Sequence, residues 1–312
     1  MSPCVLIASV STTVQTLLDA VALGSVYALM AVGIGLVFGV LRLVNFAYGQ
    51  LIMVGAYALA LTSDLNPVVS VLVCFGVVLT LTGAMDLLVF RPLRDSTPAR
   101  MLVATFAVSF LLQNIAVLKF GSIPKLVTVL SGLKQPVTIG GLHVQWITVV
   151  AIAVGAVTLV ALAVLLNRTT LGLQMRAAAA DFQTARLLGV RANRVIAFAV
   201  LISGLLAATV SVILPIAQTP IVSPDFGLRE TIVVLVGVVV GGIDRLWSAT
   251  LGGFTIGFAI GALGGFLPSS GDWPFTSGVY LDSAVFALVI LVLLLRPSGL
   301  FVPRGSASVE RV

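Results

Sequence analysis

The chain is predicted to be all-α, a polytopic membrane helical bundle of about eight or nine transmembrane helices that occupies residues 1–312 as a single domain. Three observations carry this. Hydrophobic residues make up 59% of the sequence and charged residues 9%, with a mean hydropathy of +1.19, whereas a soluble domain carries roughly a quarter charged residues. Runs such as Ile147 to Leu166 and Ala284 to Leu295 are apolar on every face, as helices that satisfy their own backbone in lipid must be. The short apolar–polar alternation of a membrane β-barrel is missing from the sequence.

Apolar character, Gly/Pro punctuation and charge place about nine crossings at 17–40, 45–62, 67–89, 100–120, 146–167, 195–218, 230–244, 249–267 and 280–296. Each is near the ~20 residues that span the hydrocarbon, except the seventh. That one is visibly short and reads as re-entrant or broken, a form tolerated where other helices cover it. Its Thr231 to Val240 stretch is also β-branched, against ordinary helix preference. Ser, Thr and Gln at 11–16 suit an interfacial helix ahead of the first span. No Lys or Arg precedes Arg42, so the basic start of a signal peptide is not expected.

Positive charge sets the orientation. Arg42, Arg91, Arg94, Arg100, Arg168, Arg176, Arg186, Arg191, Arg194, Arg245, Arg296, Arg304 and Arg311 fall on one side of these spans, and Lys119, Lys125, Lys134 and Arg229 on the other. The arginine-rich side is expected in the cytoplasm. The N-terminus then faces outward, the C-terminus inward, loop 121–145 lies outside and the basic segment 168–194 inside. A net charge of +6 laid out in this way fits topology and not nucleic-acid binding. The lipid bilayer is the expected surrounding.

Glycines cluster in the first, seventh and eighth spans, and Gly253, Gly257 and Gly261 recur on one helix face where a neighbouring backbone can approach. Val44 to Tyr57 and Leu246 to Gly257 each put a polar start before a Gly-rich helix, a faint internal echo of the repeats from which many transporters are built. Cys4 and Cys74 lie far apart in apolar sequence and read as isolated thiols, and His143 has no second His or Cys nearby, so no metal and no cofactor is expected. Asp86, a turn before Arg91, reads as a structural ion pair or an interfacial charge. Trp146, Trp247 and Trp273 sit near span ends as interfacial anchors do.

The segment Thr170 to Arg194 is a basic, helix-prone island in this apolar chain. Within 172–190 a helix pair is expected, with Gly172 ending the preceding turn and Gly189 at a helix C-cap. Ala177, Asp181, Ala185 and Leu188 recur at helical spacing as one small-residue stripe, rimmed by Arg176, Arg186, Arg191 and Arg194. Such a face suits a groove on a partner protein. An interfacial loop whose arginines only fix topology fits the spacing equally well.

The chain resembles the inner-membrane permease subunits of Liv-type ABC importers for branched-chain amino acids. The resemblance runs from about Gly24 to Phe301 and is carried by Leu23-Gly24-Ser25-x-Tyr27-Ala28-Leu29, Val44-Asn45-Phe46-Ala47-x-Gly49, Arg91-Pro92-Leu93-Arg94 and Leu112-Gln113-Asn114. It continues in Gly172…Arg176-Ala177…Asp181…Ala185-x2-Leu188-Gly189-Val190 and Arg296-Pro297-x-Gly299-Leu300-Phe301. It implies a permease domain paired with a second permease as a heterodimer, two cytoplasmic ATPase subunits and an extracytoplasmic substrate-binding protein. It also implies that Gly172, Arg176, Ala177, Asp181, Ala185, Leu188 and Gly189 form the loop that couples to the ATPase. No G-x4-G-K-[ST] phosphate loop occurs in the sequence, so ATP has to be handled by a partner. Tyr48 and Gln50 stand where similar permeases often carry His and Glu, and Ala180 where they carry an acid. Related permeases carry urea or short amides, so that solute class stands as the alternative.

Asn45, Phe46, Gln50, Gln113 and Asn114 punctuate otherwise apolar spans. Such residues either bond neighbouring helices or line a translocation path, and both roles are open for them. Asp225, Glu230, Asp272 and Asp282 are expected at the outer face as loop charges or binding-protein contacts. An intramembrane enzyme is disfavoured: there is no H-E-x-x-H, no G-x-S-x-G and no carboxylate pair placed for acid–base work. A self-sufficient channel or carrier would favour acids buried mid-span, whereas the acids here cluster at predicted span ends.

Overall fold

The computed structural model describes residues 3–41, 45–93, 96–139, 142–180, 182–218, 220–242 and 245–266, with three isolated positions beyond. The predicted ninth span, Trp273, Asp272, Asp282 and the 296–301 motif lie outside the described residues.

The described chain is mainly helical, with two short strand pairs. Helix α1 runs unbroken over Pro3–Leu41, so the residues expected to form a separate interfacial helix instead extend the first span. Helices α2 (Tyr48–Leu61), α3 (Pro67–Met85), α4 (Arg91–Leu93) and α5 (Pro98–Phe120) follow, with a π-helical turn over Asp86–Phe90 joining α3 to α4. After the strands β1 (Lys125–Leu126), β2 (Pro136–Ile139) and β3 (Leu142–Gln145) come α6 (Trp146–Arg168), α7 (Thr170–Ala180), α8 (Phe182–Leu187) and α9 (Ala192–Ala217). Strand β4 (Ile221–Val222), α10 (Leu228–Gly241) and α11 (Leu246–Phe266) complete the described chain. β2 and β3 form an antiparallel hairpin with Val137 opposite Val144, and β1 pairs antiparallel with β4 across Lys125 and Val222.

Among the described residues six helices are long and apolar enough to cross a membrane: 13–40, 67–93, 99–120, 146–168, 193–217 and 246–265. The other two predicted crossings within the described residues are α2 and α10, each 14 residues. At 1.5 Å per residue each is roughly 21 Å long, short of the ~30 Å hydrocarbon core. The sequence flagged the seventh span as short; the second is equally so. The β-branched run of α10 is helical because it is packed: Val234 and Val238 are fully buried, and tertiary burial overrides the small intrinsic penalty.

Glycine sets the tightest seam. α11 lies antiparallel against α1, with Gly257 meeting Gly24 and Tyr27, Gly261 meeting Ala20, and Gly265 meeting Thr16. At Gly257 an added Cβ would come within 2.7 Å of Tyr27 Cβ and 2.9 Å of Gly24 Cα. The expected small-residue face is therefore in contact along its length, and Gly265 extends it by one further turn. α6 runs parallel to α1, tied by Thr148 Oγ1 donating to Asp19 Oδ1 (2.7 Å) and Ser25 Oγ to the Ala151 carbonyl (3.3 Å). α9 is tied to α1 by Ser203 Oγ donating to the Gly33 carbonyl (2.8 Å), and to α2 by Ser211 Oγ donating to the Ile52 carbonyl (3.1 Å). Hydroxyls that bond a neighbouring helix's carbonyl are the usual polar fastening of membrane bundles.

Candidate functional site

The basic island folds as the expected helix pair, α7 and α8. Its C-terminal stop follows from Gly189. With φ at +87°, Gly189 takes the left-handed conformation that closes a helix, and the Val190 N–H reaches back to the Ala185 carbonyl (3.1 Å), as in a Schellman motif. Gly172 lies inside the first turn of α7, buried against the Leu165 and Leu166 backbone, with its N–H donated to Thr169 Oγ1 (3.1 Å). It therefore opens a helix; the expectation that it ends a turn is corrected. Arg176 Nη1 donates to Asn167 Oδ1 (3.3 Å), which ties α7 to the end of α6.

Along the expected stripe Ala177 is exposed, Ala185 is buried and Leu188 is exposed again. Asp181 lies outside the described residues. What the pair presents instead is an apolar knuckle: Leu187 is 87% exposed and Leu188 80%.

The proposed path residues divide into two groups. Asn45, Phe46 and Gln50 gather at the start of α2. Asn45 is buried and its Oδ1 accepts the Ala47 N–H (3.1 Å). Phe46 packs edge-on to Phe106 of α5, with ring centroids 5.9 Å apart. Gln50 is fully buried, and neither Nε2 nor Oε1 has a hydrogen-bond partner among the described residues. Gln113 is half-buried and Asn114 exposed on α5. Asn114 Nδ2 donates to the Phe110 carbonyl of its own helix (2.8 Å), so it does not join the first group.

Residues that the sequence reading passed over complete the site. The Tyr48 hydroxyl lies against Gly33, at the level where Ser203 fastens α9 to α1. The same level is marked on α3 by Thr82, which packs on Gly204. All three long helices are partway through their apolar stretches there, so α2 begins deep inside the bundle. Its other end meets the start of α3, where Ser70 Oγ donates to the Thr62 carbonyl (2.7 Å). α10 covers the opposite half. Its first turn touches the first turn of α2, Gly227 against Gly49, and its last residues pack on Ser248 and Gly252 near the start of α11. Two short helices thus meet N-terminus to N-terminus at mid-depth. α10, and not the α11 segment of the sequence echo, is the helix whose first turn meets that of α2.

The junction holds an unusual concentration of unpaired polar atoms. Tyr48 Oη, both Gln50 amide atoms and Thr231 Oγ1 are buried without hydrogen-bond partners among the described residues, where most buried polar groups are satisfied. Thr231 Oγ1 sits 2.6 Å from where a Gly49 Cβ would be. Gly227 adopts φ +86° and donates its N–H to Glu230 Oε2 (2.9 Å). Glu230, expected at the outer face, therefore stands at this internal junction, half-buried. The missed signal was the pairing of two short Gly-containing segments, which in membrane transporters points to the binding site.

Nearer the start of α3, Tyr57 stacks on Phe120 (4.7 Å between centroids), and the Lys125 ammonium lies 5.0 Å from the Phe120 ring centre. The ion pair expected of Asp86 and Arg91 is present at 3.3 Å. Trp146 and Trp247 are substantially exposed at the first turns of α6 and α11, as interfacial anchors are. Cys74 is a buried free thiol.

Comparison with known proteins gives a consistent picture. The family described as "Branched-chain amino acid transport system / permease component" matches residues 16–295. The chain is 30% identical to the high-affinity branched-chain amino acid transport system permease protein BraD of Pseudomonas aeruginosa, covering 96% of this chain and 97% of that one. It is 28% identical to the permease protein LivH of Escherichia coli K12 at the same coverage. Among solved structures, PsaBC from Streptococcus pneumoniae in complex with Fab matches with a TM-score of 0.53 at 14% identity over 91% of each chain, a likeness of fold.

Proposed function

The chain belongs to the family of branched-chain amino acid transport system permease components, and we propose from that premise that it is the membrane-spanning subunit of an ATP-driven importer of branched-chain amino acids. An extracytoplasmic binding protein delivers the solute, a second permease completes the path, and two cytoplasmic ATPase subunits drive it. The observation that carries the reading is the family match over residues 16–295, supported by relatives aligned across nearly their whole length.

The geometry supports a division of labour. The α7–α8 pair, with Arg176 tied to α6 and Leu187 and Leu188 bare, docks on an ATPase subunit and passes its closure into α6 and α9, to which it is directly joined in sequence. The arginine-rich side, including this pair, is cytoplasmic. Asn45, Phe46 and Gln50 line the path at the start of α2. In this arrangement the protein contributes positioning and movement, and the chemistry of ATP hydrolysis belongs to its partners.

The test is ATP hydrolysis by the reconstituted complex, stimulated by binding proteins loaded with leucine, isoleucine, valine or urea. Stimulation by a branched-chain amino acid, lost in Gly189→Arg, is the expected result. Stimulation by urea alone overturns the solute, and solute flux through this chain alone in liposomes overturns the importer reading.

A further inference from the structure

We propose that the α2–α10 junction is a binding site, inside the membrane, for the carboxylate group of the solute, held at the N-terminus of α2 by Thr231 and Gln50. The proposal rests on the import reading above and names where the path grips its cargo.

A helix N-terminus carries partial positive charge and N–H groups without intrahelical partners. The two N-termini that meet here are treated differently. α10 has a carboxylate in its own first turn, Glu230, which takes the Gly227 N–H. α2 has no acidic residue in its first turn and an alanine, Ala47, at its N-cap with no side-chain cap. Asn45 Oδ1 takes the Ala47 N–H, the Asn45 carbonyl the Tyr48 N–H (3.3 Å) and the Ala47 carbonyl the Gln50 N–H (3.1 Å), so the Gly49 N–H is the first-turn donor left without a partner among the described residues. An N–H left open at a helix N-terminus deep in a bundle can meet an anion.

The independent observation is the set of side chains around it. Thr231 Oγ1 is 2% exposed, has no partner among the described residues and lies against Gly49 in the first turn of α2. Gln50, in the same turn, is fully buried with its carboxamide unpaired. A hydroxyl and an amide NH2 are both donors, and donors facing a carboxylate make the stronger, charge-assisted bonds. The solute's carboxylate does for α2 what Glu230 does for α10, and Glu230 supplies the counter-charge for the solute's ammonium. Glycines at both 49 and 227 leave backbone on each side that a ligand can approach. Since these two residues are in contact in this structure, the group is taken up as α2 and α10 part.

The experiment measures labelled leucine binding to the permease–ATPase complex in nanodiscs, with and without a trapped nucleotide. Competitors are 4-methylpentanoate, which keeps the carboxylate, and 3-methylbutylamine, which keeps only the ammonium. The expected result is competition by the acid and not by the amine. Thr231→Val and Gln50→Glu weaken leucine binding about tenfold or more, through a lost donor and a like charge respectively, while Thr231→Ser retains it. Gln50→Glu changes no volume, so a folding defect in Thr231→Val leaves the test intact. The proposal is overturned if the amine competes as well as the acid, if Gln50→Glu binds leucine like the wild type, or if the wild type binds no leucine. Failure of the import reading is seen separately, as absence of binding-protein-stimulated ATP hydrolysis in the same preparation.

Discussion

Gly49 and Gly227 pack backbone to backbone, so that a Cβ added to either would run into the carbonyl oxygen of the other. This contact joins the first turns of α2 and α10 and fixes the depth at which both short helices begin. Gly49→Ala also places its methyl 2.6 Å from Thr231 Oγ1. Overpacking of this kind costs about 1–3 kcal/mol. The expected outcome is a melting temperature several degrees lower in detergent for Gly49→Ala, with Gly39→Ala, which meets nothing within 4 Å, unchanged or slightly raised.

The α1–α11 seam gives a prediction of opposite signs within one residue type. Gly261→Ala drives its Cβ to 2.6 Å from Ala20 Cα, and Gly257→Ala to 2.7 Å from Tyr27 Cβ, so both destabilise. Gly76 and Gly83 of α3 face open space. Replacing them with Ala gains helix propensity, about 0.5–1 kcal/mol each. Thermal melts of the four single variants check the sign at each position. Equal effects in α3 and α11 would contradict the seam.

Much of this was legible in the chain, and the part that was not has a physical cause. Helical spans 67–89, 100–120 and 146–167 are read from apolar runs because a helix in lipid needs little more than apolar length. The Gly253, Gly257 and Gly261 face and the Gly189 stop are read from spacing because both depend on one local backbone property. The shortness of α2 is hidden because Phe46 and Ala47, which are not helical, continue its apolar run back towards Asn45. The α2–α10 junction is legible only indirectly, as two short Gly-containing segments, since it is tertiary packing that brings Gly49 and Gly227 together. The 177–188 stripe is uneven, with Ala185 buried between exposed Ala177 and Leu188, because helical spacing does not say which side the neighbouring helices cover.

The Asp86–Arg91 pair is asymmetric. Asp86 is 6% exposed at its side chain and Arg91 51%. Removing the arginine takes the ion-pair partner Arg91 from a buried carboxylate, whereas neutralising the aspartate leaves a guanidinium that water can reach. Arg91→Gln is therefore expected to cost about 1–3 kcal/mol and Asp86→Asn less than about 1 kcal/mol. The double variant should recover most of the Arg91→Gln loss, because no charge is then left buried. A double-mutant cycle on melting temperature measures this, and additive losses would remove the pair from the account of how α3 ends.

The bare leucines after α7 make the sharpest prediction about partners. Leu187 and Leu188 are more exposed than any other large apolar side chain in the 168–194 segment, and no packing among the described residues covers them. Leu188→Asp changes a side chain that touches little of its own subunit, so the isolated permease should melt as the wild type does. If the α7–α8 pair is where an ATPase docks, the same change puts an unpaired charge in the middle of that contact. Loss of copurifying ATPase by about tenfold or more is then expected, the size of effect seen when a central interface anchor is removed. Gly189→Arg acts differently. A non-glycine residue at φ +87° is strained by about 1–2 kcal/mol, so the Schellman turn shifts and carries Leu188 with it. That variant should retain partial ATPase binding yet lose solute-stimulated hydrolysis. Copurification and stimulated ATP turnover, measured side by side, separate the two effects. Full ATPase recovery with Leu188→Asp would place the docking surface elsewhere on the chain.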